Sequence, residues 1–225
     1  MKKRFIKQTA VVDRAPVCKT AFTLAEVLIT LGVIGIVAAM TMPSLVQNYK
    51  KKEASARLKK FYSSMTQAIT LSEIDNGEVA EWVFPSYRNE AETEVFARKY
   101  ILPYFNNLKT ASGVISVDAF IIYLNDGSSI LMSKGACLDI HYDINGDRKP
   151  NQHAKDRFVF LLCPPDQVAV YCGQQFQKFP FCGCGQVTQS NRETAVANCK
   201  VNATVCVPLI MLDNWEFKDD YPYKL

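Results

Sequence analysis

Histidine is almost missing from this chain: 225 residues carry two, His141 and His153. Neither sits in a Ser or Cys nucleophile pattern, so a hydrolytic triad has nothing to build on and no enzymatic activity is expected. Charge is missing elsewhere. From Phe22 to Met42 the one ionisable group is Glu26. Helix breakers are missing from a third place, since Ser44 to Ile74 contains neither Gly nor Pro. An apolar segment with a single acid followed by an uninterrupted amphipathic one excludes an ordinary soluble domain beginning at residue 22. The composition, 48% hydrophobic and 21% charged, also excludes a disordered chain.

The apolar run spans 21 residues. At 1.5 Å per residue this makes roughly 31 Å of helix, the thickness of a bilayer's hydrocarbon core. A carboxylate inside such a helix costs about 2.5–3.5 kcal/mol on insertion scales, so Glu26 reads first as functional. The other reading places it near enough to the helix end to reach the interface. Gly32 and Gly35, three apart, give the segment a small-residue face that suits close helix–helix packing. A secretory signal peptide cut near Val37-Ala38-Ala39 is the rival reading. Glu26 within the apolar region and the long basic segment before it argue against that.

The string Lys19-Thr20-Ala21-Phe22-Thr23-Leu24-Ala25-Glu26-Val27-Leu28 resembles the prepilin N-terminal motif of type IV pilins and type II secretion pseudopilins. The resemblance implies cleavage by a prepilin peptidase between Ala21 and Phe22 and N-methylation of Phe22. It places Glu26 fifth in the mature chain and Pro43 twenty-second, where many pilins bend their helix. Ala21 departs from the family's usual Gly, and Ala25 from its usual Ile. The implied division is a leader at 1–21, a transmembrane and assembly helix at 22–43, an amphipathic continuation at 44–75, and an exported pilin-like domain at 76–225. The implied partners are other pilin-like subunits in a homo- or hetero-polymer, the peptidase, and inner-membrane assembly machinery. In that family the fifth-residue Glu pairs with the N-terminal amine of a neighbouring subunit. Here that means Glu26 and the amine of Phe22.

Residues 1–21 hold Lys2, Lys3, Arg4, Lys7, Arg14 and Lys19 against Asp13, a net of +5, which leaves −1 of the chain's +4 for the remainder. The basicity belongs to the leader, and direct nucleic-acid binding is not expected. The basic flank orients the helix with its N-terminus in the cytoplasm and its C-terminal domain outside the inner membrane. A membrane-anchored extracytoplasmic binding module that does not polymerise is the alternative function.

Beyond Cys18 the cysteines are Cys137, Cys163, Cys172, Cys182, Cys184, Cys199 and Cys206. An exported domain meets oxidising conditions, so disulfides are expected, and an odd number leaves at least one thiol free or paired between subunits. Cys182-Gly183-Cys184 suggests zinc as the rival, without the spacing of a full site.

Leu58, Phe61, Met65, Ala68 and Ile69 form a helical stripe that ends at Asp75-Asn76-Gly77. Lys50, Lys51, Lys52, Arg57, Lys59 and Lys60 make a basic face, either solvated or touching acidic neighbours or anionic lipid. A shorter helix falls within 80–110, with an apolar face of Val95, Phe96, Tyr100 and Ile101. Phe120–Leu124 and Ser129–Met132 read as a hairpin around Asn125-Asp126-Gly127, followed by strands at Cys137–Tyr142 and Arg157–Leu162. Residues 163–225 read as Cys-rich and irregular, with a further strand at Val205–Leu212 and with Trp215 and Phe217 plugging the core edge. The fold expected is α+β: a long N-terminal helix, membrane-spanning in its first half, packed on an antiparallel sheet of about four strands. Asp143, Asn145 and Asp147, at alternate positions around Gly146, resemble half of an EF-hand-like loop, so a structural calcium is the one cofactor considered.

Overall fold

A computed structural model describes residues 23–105, 107–112, 119–176, 178–186 and 191–225. Its contacts divide the chain into two units, Met1–Leu45 and Val46–Leu225. Helix α1, Leu24–Asn76, contributes to both.

In the first unit the described side chains from Leu24 to Leu45 are exposed, apart from a half-buried Ala38. Leu24, Ile34, Met40 and Leu45 each expose 63% or more of their surface. The hydroxyls of Thr30 and Thr41 donate to the carbonyls of Val27 and Val37, both at 2.9 Å, so neither carries an unmet polar group into apolar surroundings. The helix is long and apolar enough here to cross a membrane. Pro43 lies inside α1 and has no N–H to give.

In the second unit α1 buries Ala54, Leu58, Phe61, Met65, Ala68, Ile69 and Ser72, a stripe at three- and four-residue steps. All five residues of the expected stripe are in it. The helix stops where Gly77 adopts a φ of +80°, which costs glycine nothing. Helix α2, Glu90–Tyr100, is capped by Asn89, whose side chain accepts from the Glu92 amide at 3.1 Å. Its buried face is Thr93, Phe96, Ala97 and Tyr100. Val95 is not on that face; it is 66% exposed, one step round the helix from Phe96.

Among the described residues six antiparallel strands follow in chain order: β1 Asn107–Ser112, β2 Phe120–Leu124, β3 Ser129–Lys134, β4 Leu138–Asp143, β5 Arg157–Leu162 and β6 Phe181–Gly183. Each pairs with its sequence neighbour. The β2–β3 turn carries Gly127 at a φ of +84°, as an Asp-Gly turn requires. Alternate residues of the central strands, among them Ile122, Ile130, Ile140 and Phe160, join the α1 stripe in one core. Phe61 is its centre, stacked on Tyr142 with ring centroids 4.1 Å apart and tilted against Phe160 at 5.1 Å. Phe217 is buried and Trp215 packs at the edge, against Tyr62 at 5.1 Å.

The C-terminal third is more regular than its composition suggests. It holds α3 Pro165–Tyr171, α4 Arg192–Val201 and α5 Val207–Leu212. The run Val205–Leu212 is therefore a short turn and a helix, not a strand. Pro208 occupies the first turn of α5, where its missing N–H does no harm, whereas in a strand it would break the ladder. Arg192, at the start of α4, grips Asp213 at 2.6 and 2.9 Å and Asp220 at 2.6 and 2.7 Å, tying α4 to the tail.

Candidate functional site

The site to be built first is the N-terminal end of α1. Ala21 and Phe22, the expected cleavage and methylation positions, lie outside the described residues. Thr23 and Glu26 are within them and form a reciprocal cap. The Thr23 amide and hydroxyl donate to Glu26 Oε2 at 2.8 and 2.9 Å, and the Glu26 amide donates to Thr23 Oγ1 at 3.2 Å. This is the Ser/Thr-x-x-Glu capping box, and it satisfies amide groups that the first turn leaves without a partner. The signal was present in the sequence as Thr23-Leu24-Ala25-Glu26. A Cβ built on Gly32 or Gly35 would meet nothing within 4 Å, so that helix face is open.

The basic face of α1 has partners within the second unit. Lys51 pairs with Asp219 at 3.2 Å and Lys60 with Asp126 at 3.0 Å. Arg57 pairs with Glu53 at 3.0 Å and donates to the carbonyls of Asp126 and Ile144 at 3.2 and 3.1 Å, joining the helix to two sheet turns. Half of the expected solvated face is thus structural.

The possible calcium ligands have other occupations. Asp143 accepts from the Asn145 amide at 3.2 Å and pairs with Arg157 at 3.2 Å. Burial pushes its carboxyl up to about 6, against the opposing pull of the Asn145 N–H and of Arg157. Asn145 donates its side-chain amide to Asp156 at 3.2 Å, and Asp147 accepts from the Tyr123 hydroxyl at 3.2 Å. Asp156 also accepts from the amides of Asn151 and Gln152 at 2.8 and 2.6 Å. Among the described residues, no group of three or more His, Cys, Asp or Glu side chains is placed to hold a metal ion.

Among the described residues the cysteines form three disulfides, Cys137–Cys163, Cys172–Cys182 and Cys199–Cys206. The first joins β4 to β5, the second α3 to β6, and the third α4 to α5. Cys184 is the free thiol among the described residues, half-buried beside the first two bridges. Burial, helped by the nearby Asp139 carboxylate, pushes it up to about 11. The zinc reading of Cys182 and Cys184 is overturned, because Cys182 is bonded to Cys172.

Residues 44–225 match the profile of a family described as "Family of unknown function (DUF6613)". No curated protein and no solved structure matches the chain.

Proposed function

We propose that this chain, which belongs to the DUF6613 family of unknown function, is a pilin-like or pseudopilin subunit. On this reading it is made as a precursor, cut after Ala21, N-methylated on Phe22, and polymerised through the first half of α1. The observation that carries it is an exposed apolar helix whose one acid, Glu26, stands five residues beyond a prepilin-like cut. Three further features support it: the open face at Gly32 and Gly35, the antiparallel sheet under the second half of the helix, and the disulfides of an exported domain. On leaving lipid for a filament core, Glu26 needs a compensating charge, and the neighbouring subunit's Phe22 amine supplies one. The domain then stands outside the inner membrane, and the filament serves a pilus, a secretion system or DNA uptake.

A specific observation favours a second reading. Glu26 already has a local role in its capping box, which a monomeric anchor could also use. The intact mass of the mature protein tests the first reading. Loss of residues 1–21 with one added methyl group is expected, and an uncut N-terminus would overturn it.

A further inference from the structure

The chain's two histidines are twelve residues apart in sequence, yet the fold sets their rings side by side, with centroids 5.5 Å apart and planes at 53°. His141 lies on β4, on the face of the sheet turned away from α1, opposite Leu131 on β3 and Val159 on β5. His153 lies in the β4–β5 connection, which its own backbone holds firmly. Ala154 donates to the Arg157 carbonyl at 2.9 Å, and Asp156 accepts the two amides that precede His153. Both rings are partly exposed, and Nδ1 of His153 is buried with no hydrogen-bond partner.

We infer that His141 and His153 form a two-histidine site for a borderline divalent transition metal such as zinc or nickel, completed by water. The spacing carries the inference. With metal–nitrogen bonds of about 2.1 Å and a tetrahedral angle, two coordinating imidazole centroids stand roughly 5.3 Å apart. The observed 5.5 Å lies close to that separation. Coordination takes the lone pair of a neutral imidazole and releases water, so no other group has to lose a proton. The Arg157 cation opposes a metal, but it is paired with Asp143, and the Asp156 carboxylate acts on His153 in the opposite sense. The bound ion would fasten the 144–156 connection to β4. Asp143, Asn145 and Asp147 play no part in it.

The test is calorimetric titration of the chelator-stripped full chain in detergent with zinc chloride, repeated with nickel chloride. The Cys18→Ser/Cys184→Ser background removes thiols that could bind the same ions. One equivalent is expected, with a rise in melting temperature. His141→Gln and His153→Gln should each weaken binding at least tenfold. His153 sits on a half-exposed loop, so its variant is the decisive one if His141→Gln fails to fold. Absence of binding, or binding unchanged in His153→Gln, would overturn the site, as would binding that is lost only with the thiols.

Discussion

The amide and the hydroxyl of Thr23 converge on one carboxylate oxygen of Glu26, at 2.8 and 2.9 Å. The acid therefore has two separable properties, a hydrogen-bond acceptor used within its own helix and a negative charge that, on the proposed pilin-like reading, is offered to a neighbour. Gln can replace the acceptor but not the charge. In Glu26→Gln the cap should survive, with processing and membrane insertion normal and filament incorporation strongly reduced. Thr23→Val should lose about 1 kcal/mol of helix-end stability and still assemble. Sheared filaments quantified by immunoblot would report both; equal incorporation of the two variants would leave Glu26 as a cap alone.

Cys184 should behave as a protected thiol. Its folded-state value, about 11, lies above that of an unfolded cysteine, so the folded state favours the protonated form. The resulting stabilisation is fully present below about pH 8.5 and is lost as pH rises through 11. Without reductant, maleimide or iodoacetamide at pH 8 should label Cys184 slowly in the native Cys18→Ser chain and rapidly in urea. Native labelling should accelerate as pH approaches 11. Rapid native labelling at pH 7 would contradict the buried placement.

Mapping peptides without reduction should recover Cys137–Cys163, Cys172–Cys182 and Cys199–Cys206 and no other pair among the described residues. Replacing Cys137 and Cys163 together by Ala should lower stability by about 3 kcal/mol, because the bridge spans 26 residues. Urea melts of the full chain in detergent would measure it.

Phe61→Ala should cost about 3–5 kcal/mol, since it empties the space between α1, Tyr142 and Phe160. Val95→Ala, on the exposed side of α2, should stay within about 0.5 kcal/mol of the parent. The same melts check both, and a mild Phe61→Ala would mean that the helix is not seated on the sheet by that ring.

Much of the architecture is legible in the sequence. The Gly- and Pro-free run after Ser44 is one helix to Asn76, and its stripe, the Asp-Gly hairpin and the strand at Arg157–Leu162 stand where periodicity put them. Other elements were hidden for physical reasons. β1, Asn-Leu-Lys-Thr-Ala-Ser, is an edge strand with little apolar alternation, and β6 is three residues long. Helix α4 rests on an Asn191 cap and an Arg192 grip whose partners lie 21 and 28 residues away. The run at Val205–Leu212 was too short for periodicity to separate helix from strand, and its Pro208 was the clue that mattered. The capping box was legible as a four-residue motif. The meeting of His141 and His153 was not, because it depends on how the 144–156 connection folds back.

The sheet's neighbour-to-neighbour order has a consequence for how the chain is made. Every strand pairs with the one just before it, and the three disulfides close spans of 26, 10 and 7 residues that neither cross nor nest. A polypeptide emerging N-terminus first can therefore finish each hairpin and each bridge before the next begins. Such vectorial maturation keeps loop-closure entropy low at every step, and sulfur pairing in order of appearance gives the first two bridges, whereas the third requires Cys199 to pass over the earlier Cys184 and wait for Cys206.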